Sequence, residues 1–263
     1  MADSKISDLN ANTAPASGDL IAIVDDPSGS AETQKITIDN LGLIDGWMPA
    51  SETWTYASAS TITVPSGAAS KYTKGDKIKL TQTTVKYFYI TAVADTLLTV
   101  TGGSNYTVAN AAITANYYSH EESPIGFPDY FTYTCTVGAI TTAPTISGET
   151  KVAKFKISGK KVSICFRLVL GTVSGAGTGS YTFSSPVTLN SNYVSNQTVG
   201  ACTFYDYSTT TFYNGTMCSY VSNRNVLLVF LGGSTAANWS STGNPTAIAT
   251  SDQFFFEASY EMA

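Results

Sequence analysis

The chain has 263 residues, 43% of them hydrophobic, and a formal charge of −5. That apolar share supports sizeable cores and excludes global disorder. Only 13% of residues are charged and no basic stripe is present, which excludes the electrostatic footprint of a nucleic-acid binder.

Ser, Thr, Asn, Gly and Tyr fill the space that charge leaves. Such a surface is rich in hydroxyls and amides, and it suits β structure that meets sugars or proteins. The length allows two domains, or one large β domain plus an adapter. Met1-Ala2-Asp3-Ser4 opens acidic and polar, so no secretory leader is expected, and no apolar run approaches the ~20 residues of a membrane span. The expectation is a protein made in a cytoplasm and not inserted in a membrane.

Residues 1–46 read as a small β adapter. Leu20-Ile21-Ala22-Ile23-Val24 is one short strand, and Gln34-Lys35-Ile36-Thr37-Ile38 a second after the polar turn Pro27-Ser28-Gly29-Ser30. Asp39 is placed to cap a helical turn through Asn40, Leu41 and Gly42. The apolar set is Ile6, Leu9, Leu20, Ile23, Ile36, Ile38 and Leu41. A unit of about 40 residues rarely holds itself together without disulfides or metal, and this one has no Cys and no His. It therefore needs a surface to dock on. The seven carboxylates against two lysines between Lys5 and Asp45 predict a socket with basic rims.

The pattern K-I-S-x-L, then G-D-L-I-x-I-V-D, then T-x-K-I-T-x-x-N-L, over residues 5–43, resembles the N-terminal segment of tailed-bacteriophage virion proteins such as tail fibres and head fibres. The resemblance implies a module that attaches a trimeric fibre to the particle, with the seven apolar residues above as its docking set.

Residues 47–119 read as a small β-barrel. Strands are expected at 61–64, 76–82, 85–93, 96–100 and 112–118, joined by tight turns. Trp47 and Trp54 are read as packing against the barrel rather than as a sugar platform. Lys71, Lys74, Lys77 and Lys79 are read as a solvated strand edge, since lysine protects edges. Tyr87, Phe88 and Tyr89 offer rings for stacking bases, but the acidic balance argues against that use. K-Y-x-x-G-D-K-I-K-L-T-Q and F-Y-I-T-x-V are similar to a barrel between adapter and tip in phage appendage proteins, which implies a spacer.

Residues 120–130 read as a linker with two prolines. It holds the only histidine, His120, beside Glu121 and Glu122. Neighbours on an extended chain point apart, so these do not converge on an ion. From 131 to 263 the chain alternates again. Strands at 151–157 and 162–170 form a hairpin about Ser158-Gly159-Lys160, and four more are expected at 198–206, 212–221, 226–231 and 254–260. The count fits a jelly-roll-type β-sandwich. Cys135, Cys165, Cys202 and Cys218 lie in apolar runs and match no zinc spacing, so all four are read as buried reduced thiols.

K-I-S-G-K-K-V, the Gly-rich loop, Y-T-F-x-x-P-V-T-L and the ending D-Q-F-F-F-E-A-S-Y-E resemble a C-terminal domain of phage appendage proteins. That domain is similar to trimeric jelly rolls of the tumour-necrosis-factor type. The resemblance implies a homotrimer, with Phe254, Phe255 and Phe256 as interface candidates.

Catalytic chemistry is not apparent. Gly175-Ala176-Gly177-Thr178-Gly179 opens no helix and so lacks a phosphate site. No nucleophile elbow, zincin or EF-hand pattern occurs. Spacing leaves open a carboxylate pair among Asp129, Glu149, Asp206, Asp252, Glu257 and Glu261, as a glycosidase needs. The expectation is no enzyme, no metal and no cofactor. Residues 205–215 are the best recognition candidate, through Tyr205, Tyr207, Tyr213 and Asn214, because Tyr offers area at low entropic cost. The plain reading of this stretch is a hairpin with alternating buried aromatics. Trp239, in another polar loop, is a second candidate, for stacking on a sugar.

Together these readings give an all-β, three-part, homotrimeric virion appendage. Its N-terminus is expected to hold another virion protein of the capsid, neck or tail, and its C-terminal domain a host-surface glycan or protein. A capsid head fibre or decoration protein without a receptor is the alternative, followed by an appendage enzyme that degrades polysaccharide and by a cellular lectin-like module.

Overall fold

The structure, a computed structural model, describes residues 18–25, 32–38, 45–231, 237–239 and 246–263. Among these the chain is all-β, with one 3-10 turn at Ala68–Ser70 and no α-helix. The expected cap at Asp39, and Ile6, Leu9 and Leu41 of the expected docking set, lie outside the described residues.

Strands β1 (Leu20–Asp25) and β2 (Glu32–Thr37) pair antiparallel, from Leu20 opposite Thr37 to Asp25 opposite Glu32. They form a two-stranded sheet of their own. The Ile38 amide donates to the Asp19 carbonyl at 3.0 Å and ties the base of the hairpin.

A second, seven-stranded sheet comprises β3 (Met48–Pro49), β4 (Thr55–Ser58), β5 (Thr61–Thr63), β6 (Lys77–Thr81), β7 (Val85–Ala94), β8 (Leu97–Thr101) and β9 (Thr114–Ser119). Its order is β3-β9-β6-β7-β8-β5-β4. It curls around Ile62, Ile78, Leu80, Phe88, Ile90 and Leu98, and the core also takes in Ala50 and Trp54 beside the two edge strands. Trp47 and Trp54 are both buried, as the packing reading requires.

The lysine cluster is not a solvated edge. Strand β6 lies inside the sheet between β9 and β7, so Lys77 is buried and Lys79 half-buried. The Lys79 ammonium sits 4.7 Å over the Trp47 ring and 4.4 Å over Tyr117, a favourable cation–π arrangement. Burial pulls the Lys77 ammonium below the usual lysine range, against the opposing pull of Asp76, Glu122 and Glu121.

The third unit contains β10 (Phe131–Thr132), β11 (Val137–Ala139), β12 (Thr145–Ser147), β13 (Thr150–Ser158), β14 (Lys161–Val169), β15 (Thr172–Gly175), β16 (Tyr181–Ser184), β17 (Thr198–Asp206), β18 (Thr211–Ser219), β19 (Val226–Leu231), β20 (Ala237–Asn238) and β21 (Gln253–Glu261). One sheet runs β10-β13-β14-β21-β17-β18-β19-β16-β11, with β20 added on β19, while β12 and β15 pair separately. The sheet folds over so that its inner face closes on itself. Phe183 of β16 stacks at 4.7 Å on Phe254 of β21 and meets Phe166 of β14 edge-on at 5.4 Å, although these strands are far apart in sheet order. Strict alternation in β13 and β14 drives this closure: Ala153, Phe155, Ile157, Val162, Ile164, Phe166 and Leu168 are buried while their neighbours point out.

Residues 120–130 are packed rather than extended. Trp47 Nε1 donates to the Ile125 carbonyl at 2.9 Å. Phe127 lies edge-on to Tyr89 at 4.9 Å and to Phe131 at 5.5 Å. His120 Nδ1 lies 3.0 Å from Asp76 Oδ1, and its ring meets Tyr118 at 5.3 Å. The histidine thus braces the barrel, and no group of three metal-ligating side chains occurs among the described residues.

Candidate functional site

Alternation sends a five-strand-wide set of side chains to the outer face of β13, β14, β21, β17 and β18. Register aligns them in rows across the sheet. One row is Val152, Arg167, Phe255, Thr203 and Asn214; the next is Lys154, Cys165, Glu257, Ala201 and Thr216. A third ends in Tyr205 beside Phe212, whose ring centroids are 4.6 Å apart. Tyr207 meets Tyr205 edge-on at 6.3 Å. Exposure is 64% at Phe212 and 58% at Tyr207, so these two rings and Tyr205 form an aromatic cluster at one side of the face, while Val152, 45% exposed, lies at the other.

The predicted recognition residues divide by strand face. Tyr205 and Tyr207 point outward with Phe212. Asn214 is also outward, and its Oδ1 accepts from Thr203 Oγ1 at 3.0 Å. Tyr213 points inward and stacks on Phe204 at 6.2 Å. Trp239 is no sugar platform: only 2% exposed, it packs against Phe204, Tyr181 and Phe254 at 4.5, 4.7 and 5.3 Å. Its Nε1 donates to the Thr246 carbonyl at 3.1 Å, which satisfies the indole inside the core.

The three successive phenylalanines divide in the same way. Phe254 and Phe256 are buried in the chain's own core. Phe255 alone is turned out, with the Arg167 guanidinium 6.0 Å from its ring centroid. Of the apolar set in the adapter, Leu20 is exposed and Ile36 and Ile38 are half-buried, while the Ile23 side chain lies outside the described residues; Ile21, not in that set, is exposed as well.

Cys135, Cys202 and Cys218 are buried free thiols, but Cys165 is exposed. It follows Ile164 and precedes Phe166, both inward, so the pleat turns it out. Burial pushes the Cys135 thiol up to about 11 and the Cys202 thiol up to about 12.

Two carboxylates do come together. The charge of Asp206 adds to the burial that raises Asp252, while amides of Tyr207 and Ala249 work the other way. Burial raises Asp206 too, but hydrogen bonds from Ser208, Thr209 and Thr246 outweigh it and hold that carboxyl low. Asp206 accepts from Ser208 Oγ at 2.7 Å and the Thr209 amide at 3.1 Å; Asp252 accepts from the Ala249 amide at 2.7 Å and the Tyr207 amide at 3.0 Å. Both are buried. Their oxygens staple two turns together and present no open face to a substrate.

Sequence reading missed Arg167, Phe212 and Glu257 as members of one surface. The signal was present in the period-2 pattern of 161–169 and 253–261, whose outward positions are Lys161, Ser163, Cys165 and Arg167, and Gln253, Phe255, Glu257 and Ser259. Strand order, which brings these rows together, is not written in either segment. No family model, curated protein or solved structure matches the chain.

Proposed function

We propose that this chain is a structural component of a phage particle: a trimeric fibre or appendage that is anchored by its N-terminus and binds a host surface through its C-terminal unit. One observation carries the reading. The β1–β2 hairpin forms a sheet separate from the other three, and Leu20 and Ile21 are exposed on it. An isolated two-stranded hairpin is marginal in water, so it gains stability by docking, as an attachment module does. The resemblance of residues 5–43 and 131–263 to phage appendage proteins supports the same assignment. The broad outer face of the C-terminal sheet supports binding as its work.

Immunogold labelling of purified particles with an antibody to the C-terminal unit tests the proposal. Label on virions is the expected result. Virions that lack the protein, from a host that makes it, would overturn it.

A further inference from the structure

The outer face of the C-terminal sheet holds an open trough. Two cavities of about 490 and 380 Å³ adjoin along it and share Cys165, Ala201 and Glu257. Phe255 and Arg167 stand at one end and Tyr130 at the other. Between them the floor is made of small side chains, because Cys165 and Ala201 flank Glu257 on the neighbouring strands. Hydroxyls of Ser163 and Ser259 line the far end, 3.1 Å apart.

The charge around this trough is opposite to that of the whole chain. Of the seven Lys and Arg residues between 131 and 263, six fall between Lys151 and Arg167. Lys154, Lys156, Lys161 and Arg167 are exposed on the outer face of β13 and β14. Among the described residues none of these four makes an ion pair, and neither does Glu257. Lys156 instead lies 5.5 Å from the Tyr130 ring centroid.

We propose that this trough binds a carboxylated polysaccharide. The proposal rests on the reading of the C-terminal unit as the host-binding end and gives that reading a ligand class. Flat rings at both ends, above a floor of small residues, fit the C–H faces of sugar rings. Glu257 accepts hydrogen bonds from sugar hydroxyls, and the serine hydroxyls bond others. Arg167 and the lysines answer the polymer's carboxylates, with Arg able to hold one through two parallel N–H bonds. An extended peptide is disfavoured, because strand addition needs an open sheet edge and β14, β21 and β17 are interior strands.

Cys165 on the trough floor is a natural reporter, as the one exposed cysteine of the four. The full-length chain is incubated with polygalacturonate, alginate or hyaluronate, with dextran as the neutral control. Maleimide labelling of Cys165 is timed and affinity is measured by calorimetry. At least one carboxylated polymer slows labelling, dextran does not, and added salt reverses the protection. Arg167→Glu lowers that affinity about tenfold or more, and Glu257→Gln weakens it while leaving the unfolding midpoint unchanged. Unchanged labelling with all three acidic polymers would overturn the proposal. So would a Cys165 already shielded in the polysaccharide-free protein, since the face would then be a subunit contact. Gold label on virions without polymer binding removes the trough assignment and leaves the appendage reading. Polymer binding without label on virions does the reverse.

Discussion

Gly75 of the barrel lies against Gly159 of the C-terminal unit so closely that a Cβ on Gly75 would stand 1.9 Å from the Gly159 carbonyl oxygen. Gly75 also has φ +95°, a conformation that L side chains rarely adopt. Gly75→Ala therefore has to push the two units apart as well as strain its own backbone. The expected loss is about 2–3 kcal/mol, read as a lower midpoint in urea unfolding. A midpoint within 0.5 kcal/mol of the parent, about the effect of an ordinary surface change, would show that this contact is not held in solution.

Phe127 is the centre of the aromatic joint, in contact with Trp47, Tyr87, Tyr89 and Phe131. Phe127→Ala is predicted to cost about 3 kcal/mol, the lower end for a core Phe because this ring is only half-buried. Calorimetry should then resolve two thermal transitions where the parent shows a single one. A single transition in the variant would show that the glycine contacts suffice to couple the units.

Trp239 and Tyr207 make a paired test of burial against exposure. Trp239→Ala empties a space among Phe204, Tyr181 and Phe254 and should cost about 3–5 kcal/mol. Tyr207→Ala changes an exposed ring and should stay within about 0.5 kcal/mol. Denaturant titration of both variants measures the difference.

Glu52 sets an acid limit on the barrel. Burial raises its carboxyl, but hydrogen bonds from Lys71, Trp54 and Tyr72, with the Lys71 charge, outweigh this and hold it below the usual carboxylate range. A depressed carboxyl contributes stability that is complete above its unfolded pKa and is lost as pH falls through the folded one. Thermal midpoints should accordingly drop as pH falls below about 4, and Glu52→Gln should flatten that drop while lowering the midpoint at neutral pH.

Thiol counting tests the core of the C-terminal unit. A thiol reagent at neutral pH should modify Cys165 quickly, leave Cys135, Cys202 and Cys218 unreacted, and reach all four in denaturant. Rapid reaction of more than one thiol in the native protein contradicts the buried positions.

The all-β class and most strand positions were legible because alternation is strong where one face is buried. Residues 151–169 show this best: inward Phe155, Ile164 and Phe166 alternate with outward Lys154, Cys165 and Arg167. The same alternation, applied to Cys165, would have placed it outside, but its apolar neighbours suggested a buried run. The lysines around Gly75 misled for a different reason. Their spacing fits an edge, whereas the non-local pairing of β6 with β9 puts Lys77 inside. Trp239 sits among polar residues in sequence, and only the fold-over of the sheet reveals the aromatic walls that enclose it. The outer trough was invisible for the same reason, since its rows combine strands that are remote along the chain.

The order of strands in the C-terminal sheet also bears on how the protein is made. Strand β21, last of the sheet in sequence, lies at its middle, between β14 and β17. A ribosome therefore releases the β13–β14 hairpin and the β17–β18 hairpin with one exposed edge each, waiting for the strand that joins them. Until β21 emerges, both edges are templates for wrong partners, including the same hairpins on neighbouring nascent chains. Assembly yield should then depend on how quickly translation passes residues 219–261, and a pause in that stretch should shift product from soluble protein to aggregate.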